Sequence, residues 1–236
     1  YLAFGYLYND WMDREADRMV GKVKRIQQWS SWQAIGMLSL IAIASLLFMV
    51  PWIGSTPVLI IIGLCYLLAL TYSGTVLRFK ERGWAGLLVA SLAQRTLPAC
   101  LVYAVLGIWD YSVVLFLILT LFIGLRWMVT HQIEDLESDT ATSTKTFATR
   151  LSRKRLNHLM VWILNLEILS LLLLAFSIAS SALFWIYGIY FLFSCILSIA
   201  TRSTPRQMLE TPATAYLVLA DLYFLYWPLG MTVWLG

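Results

Sequence analysis

Charged residues are scarce in this 236-residue chain, at 13%, against about 25% in an ordinary soluble domain. Hydrophobic residues reach 60% and the mean hydropathy is +0.76. So little charge argues against a soluble globule. It also excludes a disordered chain, which needs low hydrophobicity and high net charge. Cysteine is equally sparse. Cys65, Cys100 and Cys195 are odd in number, lie inside apolar stretches and show no CxxC spacing, so neither a disulfide framework nor a zinc site is indicated and all three read as packing residues. With 13 Gly and 6 Pro the chain is not low-complexity, and no internal repeat is visible. The first residues, which open on Tyr1, read as the end of an apolar helix without the n-region and cleavage site of a signal peptide, so the natural protein is expected to start earlier.

What the chain has in quantity is long apolar runs. A crossing of the hydrocarbon core takes about 20 apolar residues. Seven stretches qualify: Trp32–Val50, Pro57–Ser73, Leu87–Gly107, Ser112–Thr130, Leu159–Ala179, Ala182–Ala200 and Ala215–Leu235. Backbone polar groups must be satisfied internally in lipid, so such runs are helices. The expected fold is an all-α polytopic transmembrane bundle forming a single domain over residues 1–236.

Counting loops by parity puts Asp10–Ser31, Gly74–Gly86, His131–His158 and Thr201–Thr214 on one face. These segments hold fifteen of the seventeen Lys and Arg, and the opposite turns hold none. By the positive-inside rule the basic face is cytoplasmic. The net charge of +4 is therefore a statement about topology and lipid headgroups, and gives no support to nucleic-acid binding.

The basic face also carries two acidic motifs. The first runs Asn9-Asp10-Trp11-Met12-Asp13-Arg14-Glu15-Ala16-Asp17. If its helix continues, residues 9, 13 and 17 project from one side at about 6 Å per step. Like charges so spaced repel unless a cation relieves them. The second, His131-Gln132-Ile133-Glu134-Asp135-Leu136-Glu137-Ser138-Asp139, repeats the four-residue step at Asp135 and Asp139. Four apolar runs separate the motifs, which returns both to one face. Carboxylates completed by phosphate and water are how Mg2+ is usually held, so facing acidic motifs are a device for gripping a diphosphate. The bland alternative is a pair of solvated helix ends with ordinary surface ion pairs to Arg14, Arg18 and Lys22.

The two motifs resemble the NDxxDxxxD and DxxxD signatures of the UbiA superfamily of intramembrane prenyltransferases. Their separation fits that family's nine-helix plan, of which this chain is similar to helices three to nine preceded by the end of helix two. Tyr72-Ser73 followed by Arg78, Lys80 and Arg82 resembles the family's basic loop, Ser91–Pro98 its fifth helix, and Thr146 a common family threonine. Ser143 stands where the family usually has Gly, Met19–Lys22 replaces an Arg-Pro-rich stretch, and His131-Gln132 replaces a more usual Lys.

The resemblance implies Mg2+-dependent transfer of an isoprenyl group from a polyprenyl diphosphate to an aromatic or lipid acceptor, with release of pyrophosphate. It implies that Asn9, Asp10, Asp13, Asp17, Asp135 and Asp139 hold the metal, Asp10 either as a ligand or as an orienting group. Arg78, Lys80, Arg82 and Lys145 are candidates for the diphosphate, with topology signals as the competing explanation. Tyr72, Trp127 and Tyr223 are candidate linings for an allylic cation, with interface anchoring or core packing as the plainer reading of each. Arg95, Arg126, Glu167 and Asp221 are ionisable groups within apolar runs and hence functional suspects, with a buried ion pair as the plain reading. His131 sits one turn from Asp135 and could orient it or serve as a base, while His158 reads as surface. Two alternatives stand beside this: phosphoribosyl transfer to a polyprenyl phosphate at the same metal site, and a cation-binding transporter. Inverted repeats would favour a transporter, and a basic loop between acidic motifs favours an enzyme.

Overall fold

The computed structural model describes residues 1–177 apart from 22, 23 and 75. The expected runs at 182–200 and 215–235, with Cys195, Glu210, Asp221 and Tyr223, lie outside the described residues. Within them, all regular structure is helical. In order these are α1 (Leu2–Met12), α2 (Arg14–Met19), α3 (Ser31–Phe48), α4 (Thr56–Ser73), α5 (Trp84–Ser91), α6 (Leu97–Leu106), α7 (Tyr111–Glu134), α8 (Leu136–Ala141) and α9 (Arg153–Ser177). Five apolar segments are long enough to cross a membrane: α3, α4, Trp84–Leu106, α7 and Arg153–Leu174. Each overlaps one of the runs read from sequence, the ends differing by a few residues where caps decide them.

Those caps are local chemistry. Ser30 begins α3 with a reciprocal pair: Gln33 N donates to Ser30 Oγ at 3.3 Å, and Ser30 N donates to Gln33 Oε1 at 2.9 Å. Asp110 begins α7 by accepting from Val113 N at 2.9 Å, which explains one acid as a cap. Between α5 and α6 the chain widens into a π-helical turn at Leu92–Thr96. Pro98 lies just beyond; it has no N–H to give the Gln94 carbonyl, and its ring crowds that carbonyl.

Helix α7 is the centre of the bundle. Its Met128, Val129 and Ile133 pack with Leu87 and Ala90 of α5 and with Leu156, Met160 and Ile163 of α9. Farther along, Val113, Phe116 and Leu119 pack with Ala99 and Tyr103 of α6 and Leu174 of α9. A separate cluster joins Val58, Ile61, Ile62 and Cys65 of α4 to Ala104 of α6. Lipid tails are as apolar as leucine, so helix association in a membrane depends on close fit. Gly124 of α7 provides it: a Cβ there would stand 3.1 Å from Ser91 of α5. Leu40, Ile43 and Leu47 of α3 are exposed instead, as befits a helix at the lipid boundary.

Candidate functional site

Both acidic motifs sit where a helix bends. The backbone bonds Asp13 N to Asn9 O (3.0 Å) and Asp17 N to Asp13 O (2.9 Å) persist across the first motif, but Asp13 itself turns to φ −91, ψ 1 between α1 and α2. Asp135 does the same between α7 and α8, at φ −83, ψ 0, with Asp139 N bonded to Asp135 O at 2.8 Å. The four-residue step of residues 9, 13 and 17 is thus kept by backbone hydrogen bonds, with Asp13 itself as the junction between α1 and α2. This sparsely populated backbone region is where many active-site residues sit.

Within the two motifs, burial separates the candidate ligands from the remaining acids. Asn9, Asp10, Asp13, Asp17, Asp135 and Asp139 are all half-buried, whereas Glu15, Glu134 and Glu137 are exposed. The two motifs come together around Tyr72, at the end of α4: Asp13, Asp139 and Asp135 all lie within electrostatic range of its hydroxyl. The Tyr72 ring packs against the cluster that contains Ile133 and Phe147.

Most of the candidate ligands have a buried or half-buried polar partner. Ser73, buried at the end of α4, donates to Asn9 Oδ1. Lys80, from the basic loop and only 7% exposed, pairs with Asp13 Oδ1. Thr146 donates to Asp139 Oδ2 at 3.0 Å. Gln27 donates to Asp17 Oδ2 at 2.5 Å. Lys24 Nζ lies 2.5 Å from Asp10 Oδ1 and 4.0 Å from Asp17 Oδ2. Partial burial tends to lower the Lys24 pKa, but the hydrogen bond to Asp10 and the charges of Asp10, Asp17 and Asp13 outweigh it, so the net shift is upward. Of these partners, Lys24 and Gln27 carry no sequence signature, because they reach the motif through a 3-10 turn (Arg25–Gln28) that folds back on it.

The other predicted residues divide. Arg78 bonds Glu81 at 2.5 Å, and Arg82 donates to Leu77 O at 2.6 Å with its guanidinium over the Phe79 ring. Both are thus in contact with their own loop, and Lys145 is exposed. The loop is held by Gly86, where a Cβ would stand 2.2 Å from Phe79 O, and by Arg150, which donates to Glu81 O. His131 Nε2 is 3.5 Å from Asp135 Oδ2, in place to orient it. Gln132 is buried and accepts from Ala148 N at 3.2 Å. Trp127 lies under Arg95, whose guanidinium is 5.2 Å from the ring centroid. Arg126 pairs with Glu167, the plain reading for those two, and His158 is exposed.

The donors are hard oxygens throughout, the chemistry that suits Mg2+. Among the described residues, no three Asp, Glu, His or Cys side chains form a group that could hold an ion by themselves.

Over residues 1–234 the chain matches the UbiA prenyltransferase family. It belongs to that family. Comparison with curated proteins and with solved structures gives no match. Membership makes the protein an integral membrane helical bundle with the transferase chemistry of UbiA prenyltransferases, and the two bent acidic motifs are the residues on which its resemblance to UbiA signatures was read.

Proposed function

We propose that the protein transfers an isoprenyl group from a polyprenyl diphosphate to an aromatic or lipid acceptor, releasing pyrophosphate at the cytoplasmic end of the bundle. The observation that supports this is that Lys80 of the basic loop pairs with Asp13 Oδ1 while both acidic motifs lie within electrostatic range of Tyr72. Asp13 and Asp17, with Asn9 and Asp10, would hold one Mg2+ and Asp135 and Asp139 another. The bound ions supply charge neutralisation to the departing diphosphate. In the reaction the allylic C–O bond breaks with its electron pair going to the diphosphate, the acceptor's nucleophilic atom bonds the allylic carbon, and the acceptor loses a proton.

The chain's own residues supply position and charge. Lys80 is held on Asp13 and so keeps a buried positive charge beside the leaving group. Arg78, Arg82 and Lys145 lie farther out, where they draw the anionic substrate in. The Tyr72 ring faces the cation left after ionisation and helps keep water from it. Thr146 and His131 orient Asp139 and Asp135.

The test is to incubate the protein in liposomes with Mg2+, a labelled polyprenyl diphosphate and a panel of acceptors. Divalent-dependent pyrophosphate release with a prenylated product is expected, and it is abolished by Asp13→Ala or Asp135→Ala. Unchanged turnover in either variant overturns the assignment.

A further inference from the structure

We infer that Gln27 is a positioning residue for the first metal-binding motif, fixing the Asp17 carboxylate through a neutral donor. The inference rests on the prenyltransferase reading above. Gln27 lies beyond the motif, in the Arg25–Gln28 turn, and is 1% exposed. Its carboxamide is fully committed. Nε2 donates to Asp17 Oδ2 at 2.5 Å and to Asp10 O at 3.2 Å, and Oε1 accepts from Lys24 N at 2.9 Å. The amide orientation is fixed by chemistry: Lys24 N can only donate, while the Asp10 carbonyl and an ionised Asp17 can only accept. Arg18 then clamps the turn from the other side by donating to Gln27 O at 2.8 Å.

The neutrality of the donor matters. Lys80 and Lys24 hydrogen-bond Asp13 and Asp10 with full positive charges, which compete with a divalent cation for the same carboxylates, whereas Lys24 stays 4.0 Å from Asp17 Oδ2 and the direct donor to Asp17 is Gln27. A carboxamide brings no net charge. It occupies one oxygen of Asp17, leaves the other for an ion, and stays bonded when the ion arrives. Its second proton fixes the Asp10 backbone, so one side chain sets the spacing between two motif residues seven positions apart. Outer hydrogen bonds of this kind orient carboxylate ligands and tune metal affinity.

The experiment uses the protein in lipid nanodiscs. Mn2+ binding is followed by the electron paramagnetic resonance of the free ion, with and without inorganic pyrophosphate. Gln27→Ala is expected to raise the Mn2+ dissociation constant by about 10-fold to 100-fold, and turnover lost at low metal returns at saturating metal. Gln27→Glu preserves the acceptor for Lys24 N but cannot donate to Asp17, so it is expected to lose at least as much. A Gln27→Glu protein with wild-type or tighter Mn2+ affinity overturns the inference, because Gln27 then serves the turn alone. So does a Gln27→Ala defect that saturating metal fails to restore. Asp17→Asn separates the two levels. If it loses Mn2+ while the Gln27 variants keep it, only the inference falls; if the wild-type protein binds no Mn2+, the metal-site reading falls and takes the inference with it.

Discussion

Arg126 of α7 grips Glu167 of α9 with two parallel hydrogen bonds, Nε to Oε2 at 2.5 Å and Nη2 to Oε1 at 2.9 Å. Both side chains are largely buried, and the pair stands about two turns before the bend at Asp135. Planar, bidentate geometry is what makes arginine suited to such a site. Glu167→Ala removes the bidentate partner of a buried guanidinium and is expected to cost up to about 3–5 kcal/mol of stability, whereas Arg126→Met with Glu167→Leu together recover most of the loss. Unfolding of the three proteins in nanodiscs checks this.

Divalent-ion removal gives the second prediction. Chelation with EDTA is expected to abolish pyrophosphate release, and added Mg2+ to restore it. Thr146→Val removes the hydroxyl that bonds Asp139 Oδ2, and is expected to raise the Mg2+ concentration for half-maximal activity by about 10-fold or more. A titration of initial rate against Mg2+ reads the shift.

Ser143 has φ +55, a left-handed conformation that costs an L-residue about 1 kcal/mol or more relative to glycine. Ser143→Gly is therefore expected to stabilise the protein by about 1 kcal/mol, less the extra chain entropy of glycine in the unfolded state. A thermal unfolding midpoint higher by about 2–4 °C is the readout.

Gly86 and Gly63 make a matched pair. A Cβ at Gly86 collides with the Phe79 carbonyl, while one at Gly63 meets nothing within 4 Å. Gly86→Ala is expected to push the basic loop outward at a cost of about 1–3 kcal/mol and to raise KM for the prenyl diphosphate through Lys80. Gly63→Ala lies inside α4 and is expected to be neutral or to gain about 0.5–1 kcal/mol. Thermal unfolding with steady-state kinetics distinguishes the two.

The five described crossings were legible because lipid makes length and hydropathy decisive, with no solvent-facing stripe to interpret. The acidic motifs were legible because a four-residue step brings side chains together on a helix whatever the fold. Gln27 was not legible: its partners are ten and seventeen residues away, and nothing in Arg-Ile-Gln-Gln says that the turn folds back. Trp127 reads from the sequence only as an aromatic in an apolar run: that the π-helical turn at Leu92–Thr96 carries Arg95 onto its ring depends on how two helices meet.

The loop from Phe79 to Arg82 touches both sides of the site at adjacent residues: Lys80 is fastened to Asp13, and the Glu81 carbonyl to Arg150 beyond the second motif. It works as a tie-bar across the mouth, so neither acidic half can drift without straining the other. On the prenyl-transfer reading proposed above, changes in the apolar depth of the bundle would leave this end undisturbed, so that tail selectivity could diverge while the acidic end keeps one shape.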